Sequence, residues 1–174
     1  MIIANGKVVT WGDPNEILED KALLINDGVI QEIADTRELM AAHPTEEVLD
    51  AQGQMVMPGL ICAHTHFYGA FSRGMAIPGE PSRNFQEILA NLWWERDKGL
   101  DEDGVRYSAL ALLADATRYG CTTLFDHHAS PNCIYGSLDI EADAITESGL
   151  RASLCYEVTD RDGVEHDIDG NTSF

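Results

Sequence analysis

The feature that most constrains this chain begins at Pro58-Gly59. From there short apolar runs alternate with helical patterns. The run 60–63 (Leu-Ile-Cys-Ala) reads as a strand, 85–96 as a helix and 101–119 as a second helix, with Asp101 as its N-cap and Gly120 just past its end. A strand over 121–125, a helix over 138–148 closed by Gly149, and a strand over 150–158 follow. Such alternation specifies a parallel sheet covered by helices. Polar groups gather at the C-terminal strand ends: His64 and His66, then Asp126, His127 and His128, then Tyr156 and Glu157. In a (β/α)8 barrel that end carries the active site. A doubly wound sheet would also bind ligands there, but its glycine-rich phosphate loop is absent.

The first 57 residues follow another rule. Short strands are expected at Ile2-Ile3, continuing past Asn5-Gly6 into 8–10, then at 22–25 and 29–34. The Asn26-Asp27-Gly28 turn joins the last two, because these residues accept positive φ. A short helix over 38–42 and strands near 47–49 and 55–57 complete what reads as part of a β-sandwich. The expected domains are therefore 1–57, a sandwich portion, and 58–174, the first part of a barrel.

Composition narrows the function. The formal net charge is −19, from 30 acidic and 11 basic side chains. So acidic a surface repels nucleic-acid phosphates and anionic membranes, so neither is expected as a partner. No apolar run approaches the ~20 residues of a membrane span, and the N-terminus lacks signal-peptide order; a cytoplasmic location is the expectation. Cys62, Cys121, Cys133 and Cys155 form no C-x-x-C pair and read as buried thiols in a reducing compartment.

His64-Thr65-His66 carries the chemistry. Residues two apart on a strand share a face, so both imidazoles can address one point. Imidazole suits zinc or iron. A bare H-x-H also fits two surface or hydrogen-bonded histidines. The run from Asp50 through Met57-Pro58-Gly59-Leu60-Ile61-Cys62-Ala63 into His64-Thr65-His66 resembles the signature of the amidohydrolase superfamily. Asn91-Leu92-Trp93-Trp94 before Asp97, Asp126-His127-His128-Ala129-Ser130-Pro131 and Tyr156-Glu157 resemble its SsnA-type aminohydrolases, neighbours of guanine deaminase, the chlorohydrolases and the nucleoside deaminases.

The resemblance implies a composite β-sandwich followed by the first strands and helices of a metal-dependent-hydrolase (β/α)8 barrel. It implies a divalent metal, zinc or else iron, on His64 and His66. The implied activity is hydrolysis of a non-peptide carbon–nitrogen bond in a small nitrogen heterocycle. Chlorohydrolysis, or an inactive truncated protein, are the alternatives. The catalytic residues and remaining ligands are expected downstream of residue 174, which makes the chain an N-terminal fragment by this reading; homo-oligomerisation is left open.

Four residues are candidate substrate contacts, each with a plainer alternative. Asp97 stands where related nucleoside deaminases carry a substrate-binding carboxylate, or else is a solvated helix end. His128 touches substrate or supports the metal's surroundings, or else shapes its loop. Tyr156 and Glu157 stand at the barrel mouth, with a strand-end salt bridge as the alternative for Glu157. Trp93 and Trp94 could wall a ring pocket or divide between core and surface, and Arg73 reads as a loop-fixing residue. The acidic run 160–169 reads as a solvated loop, with His166 not a ligand.

Overall fold

The computed structural model describes residues 1–76, 79–161 and 164–172. The chain divides into two compact units, Met1–Pro58 and Gly59–Phe174.

The first unit holds two small sheets. β1 (Ile2–Ala4), β4 (Lys21–Asn26), β5 (Val29–Asp35) and β6 (Val48–Asp50) form one in the order β5-β4-β1-β6, while β2 (Lys7–Val9), β3 (Ile17–Leu18) and β7 (Met55–Val56) form the other in the order β3-β2-β7. β1 and β2 were expected to be one continued strand; they belong to different sheets. Asn5 takes φ 58°, and the left-handed step turns the chain out of the first sheet. The expected hairpin is present, with Asp27 and Gly28 at φ 48° and 75°. α1 (Thr36–Ala42) is capped by Asp35, whose Oδ1 accepts from the Arg37 amide at 3.0 Å. Ile2, Ala4, Ala22 and Leu39 form the buried core of this unit.

The second unit is a parallel three-stranded sheet in the order β10-β9-β8, from β8 (Leu60–Thr65), β9 (Cys121–His128) and β10 (Arg151–Tyr156). α4 (Glu102–Arg118) and α5 (Ser137–Ser148) connect the strands. Asp101 caps α4 through a 2.8 Å bond from the Gly104 amide. Phe67, Ala109, Leu113, Ala116, Leu124, Ala144 and Ile145 make the core between sheet and helices. Gly59 has a structural cause: a Cβ there would overlap the Thr122 side chain.

Three expectations are corrected. The helix over 85–96 is α2 (Phe85–Ile88), a π-helical segment Leu89–Trp93 and α3 (Trp94–Lys98) in succession. The acidic tail is not a loop throughout: Val164–Thr172 is α6, held where Asn171 bonds both the amide (2.9 Å) and the carbonyl (3.0 Å) of Tyr156, and where buried Asp167 accepts from the Thr159 amide. His166 lies exposed on α6, and Asp162 and Gly163 of that acidic run lie outside the described residues. Cys155 is exposed and the other three cysteines partly buried, because strand alternation sends Cys155 to the sheet face opposite Leu154 and Tyr156.

Candidate metal centre

The two faces of the sheet diverge at its C-terminal end. On β9, Leu124, Asp126 and His128 are buried, whereas Phe125 is exposed and His127 half-buried between them. On β8, Cys62 pairs with Leu124 and Thr65 with Asp126, so three steps on β8 match two on β9. One extra residue is therefore accommodated around Ala63-His64, a bulge of the kind that re-aims side chains at a strand end. Past it, His64 Nε2 and His66 Nε2 stand 3.0 Å apart. Two ligands on a tetrahedral zinc at ~2.0–2.1 Å would be separated by about 3.3 Å, so the pair needs only a small adjustment to share an ion.

The tautomer of His66 follows from its partner. Its Nδ1 lies 2.8 Å from the His127 carbonyl, which can only accept, so Nδ1 carries the proton and Nε2 keeps its lone pair. Burial pushes the His66 pKa down, against the pull of that hydrogen bond, which keeps the ring neutral. Tyr68 and Trp93 surround the ring, with centroids 5.5 and 5.9 Å away.

Asp97 is not a solvated helix end. It is 2% exposed, its Oδ1 accepts from Arg96 at 3.0 Å, and its Oδ2 accepts from Arg161 at 3.3 Å. The Arg96 guanidinium lies 4.1 Å from the Tyr68 ring centre and 4.3 Å from that of Trp93, and also donates to Ser72 at 2.6 Å. Arg161 lies 5.5 Å from the Trp94 ring centre. Burial raises the Asp97 pKa, opposed by Arg96 and then Arg161. Glu157 is half-buried, 3.8 Å from Arg161, and its amide donates to the His128 carbonyl at 2.7 Å. Arg73 pairs with Asp115 at 2.6 Å, which fits the loop-fixing reading.

On the helix side of the sheet lies a cluster the sequence did not announce. His128 is fully buried, and its Nε2 lies 2.9 Å from Ser130 Oγ, which itself donates to the Cys133 carbonyl at 2.7 Å. The hydroxyl proton is thus committed, so His128 Nε2 is the donor. Its Nδ1 faces Glu141 Oε1 at 2.7 Å, and both side chains are wholly buried. A neutral His128 then requires a protonated Glu141. Burial drives both that way: the Glu141 pKa rises well above the carboxylate range, and the His128 pKa falls to about 4. Asp126 completes the trio; its pKa is raised to about 8 by burial and then by Glu141. These three could themselves hold a cation, but the 2.7 Å contact is a hydrogen-bond length that the proton inventory explains. Tyr156 is also buried, its hydroxyl accepts from the Ser130 amide at 2.9 Å, and burial pushes its pKa up to about 12.

Parallel strands joined by helices, with a histidine pair at the strand ends, place the second unit in the α/β class. The comparisons refine it: residues 55–173 match the model of the amidohydrolase family, and the chain belongs to that family. It is 35% identical over 95% of its length to the 5-methylthioadenosine/S-adenosylhomocysteine deaminase of Pyrococcus furiosus, covering 35% of that protein. It is 33% identical over 90% of its length to the 5'-deoxyadenosine deaminase of Methanosarcina barkeri, covering 33% of it. Among solved structures, guanine deaminase from C. acetobutylicum matches with TM-score 0.72 at 18% identity, over 91% of this chain and 38% of that one. The atrazine chlorohydrolase of Arthrobacter aurescens, in complex with zinc and atraton, matches with TM-score 0.70 at 23% identity, over 88% and 35%. The chain spans about a third of the length of the curated relatives it matches.

Proposed function

We propose that this chain contributes the first metal ligands of a metal-dependent amidohydrolase that removes an amino group from a small nitrogen heterocycle, a purine or purine nucleoside in the first instance. The observation that carries the reading is the approach of His64 Nε2 and His66 Nε2 to 3.0 Å, with His66 fixed as the tautomer whose Nε2 carries a lone pair, which here accepts from His64 Nε2. The named activities of the relatives, deamination of methylthioadenosine and deoxyadenosine, support the substrate class.

In this reading residues 1–57 are part of a composite sandwich and 58–174 the opening of a (β/α)8 barrel. His64 and His66 would hold a divalent metal, zinc before iron, which when bound would supply the Lewis acidity that makes water a competent nucleophile near neutral pH. Zinc hydrolases use three protein ligands and an open position, so this pair is part of the set. The Arg96 and Tyr68 contacts hold Trp93 beside His66 as one wall for a planar ring. Asp97, with both oxygens held by Arg96 and Arg161, supports the substrate side through those two guanidinium groups, while half-buried Glu157 offers its carboxylate to substrate hydroxyls. Buried His128 and Tyr156 act on the substrate side through the Ser130 loop they both bond. The free cysteines fit a cytoplasmic setting.

The test is ammonia release by the protein expressed from its intact gene, against a panel of 5'-methylthioadenosine, S-adenosylhomocysteine, guanine and a chlorotriazine, before and after chelation. Chelator-sensitive ammonia release from a purine supports the reading. Chloride release from the triazine alone would replace it with chlorohydrolysis, and activity that survives complete metal removal would end it.

A further inference from the structure

The tip of β9 grips the chain just after the histidine pair with two consecutive residues. The His127 carbonyl accepts from His66 Nδ1 at 2.8 Å, and the Asp126 carboxylate accepts from the Phe67 amide at 2.7 Å. The second bond spans 59 residues of sequence and is buried. Asp126 is 3% exposed, and its Oδ2 is buried without a hydrogen-bond partner among the described residues. A lone carboxyl in that setting is costly to keep, and the local fold does not require it: the Phe67 ring is already seated in the core with Leu113 and Leu124. What the carboxyl adds is a fixed position for the peptide that joins His66 to Phe67. With one end of His66 held through its ring and the other through the following amide, the direction of Nε2 is determined.

We propose that Asp126 is a positioning residue for the metal site, aiming His66 Nε2 at the ion through the Phe67 amide. This rests on the reading of His64 and His66 as metal ligands. The part played by Asp126 is that of an acceptor, not a charge. The Phe67 amide bonds a single carboxyl oxygen, so asparagine, which keeps the Oδ1 acceptor, should replace it, while leucine, of similar size without an acceptor, should not.

The experiment is a Co(II) titration of the metal-stripped protein, expressed from its intact gene, reading affinity and the visible absorption of the bound ion. His66→Ala should lose the high-affinity Co(II) spectrum; if it binds as the parent does, the metal reading itself fails. With that control in place, Asp126→Leu should weaken Co(II) binding about 10–100-fold, as removal of an outer partner of a metal-bound histidine does, and should shift the absorption bands. Asp126→Asn should restore both. Leu124→Ala, a destabilising change in the same core, should leave the spectrum intact. Parent-like affinity and bands in Asp126→Leu would overturn the inference, as would an equal loss in Leu124→Ala. Should Asp126→Leu not fold, Asp126→Asn decides alone: it must match the parent spectrum, and a changed one sinks the acceptor role.

Discussion

The two faces of the sheet at its C-terminal end carry imidazoles under opposite conditions. On the open face His64 is exposed and His66 partly buried, and their Nε2 atoms meet. On the helix face His128 is sealed with Glu141 and Asp126, and its two ring nitrogens face Glu141 and Ser130. In the first, His66 Nε2 accepts from His64 Nε2, and an ion can take the place of that shared proton. In the second, the ring joins β9 to Glu141 of α5. Histidine content alone therefore says little about function; which side of the strand the ring leaves decides it.

That contrast predicts a double dissociation. Glu141→Ala, measured by urea unfolding of chelator-treated protein, should cost about 3–5 kcal/mol, because it strands a buried ring nitrogen and opens a cavity, while leaving the histidine pair able to bind metal. Loss of metal binding without loss of stability would reverse the assignment of the two faces. Asp97→Ala should come next at about 3 kcal/mol, since the Arg96 guanidinium is 7% exposed and would lose its carboxylate; a cost below about 1 kcal/mol would show that Tyr68 and Trp93 hold Arg96 without help.

The helix face should also be visible in pH. Asp126 and Glu141 have pKa values raised by burial, so the folded state holds their protons more tightly. Their contribution is complete below the unfolded carboxylate pKa and is lost as pH rises through the folded value. His128 is lowered to about 4 and acts with the opposite sign, but only between there and its ordinary ~6.5. Between pH 6.5 and 8 the carboxyls act alone, and the parent should lose about 1–2 kcal/mol more than Asp126→Asn over that range. Parallel stability curves would place Asp126 outside the buried cluster. At the small end, Glu147→Ala removes the exposed partner of Arg106 and should change stability by less than about 0.5 kcal/mol; a larger cost would show that the outer helix surface also carries the cluster's load.

The sequence made the open face legible and hid the other. His64-Thr65-His66 at the end of an apolar run, after Pro58-Gly59, is a local pattern, and strand period brings both rings to one side; the bulge at Ala63-His64 adjusts the aim without changing the outcome. Asp101 and Gly120 marked α4 because caps are local chemistry. Glu141 left no such mark. It is an acid among Asp139 and Asp143 on a helix that reads as having an ordinary polar side, and its burial depends on a histidine 13 positions earlier on another element. Asp97 was misjudged in one alternative for the same reason: nothing near it announces that Arg161 closes over it. α6 was missed because its polarity matches a solvated loop, while its anchor, Asn171 on the Tyr156 backbone, is a tertiary contact.

The most direct measurement is metal content by mass spectrometry of the protein expressed from its intact gene, alongside His64→Ala purified the same way. With metal stripped from both, the two proteins should unfold at similar midpoints, so that loss of metal is not loss of fold. A parent holding one divalent ion and a stable variant holding little or none is the expected result. Equal metal in both would show that the ion, if present, is bound elsewhere, and would remove the histidine pair from the centre of the proposed chemistry.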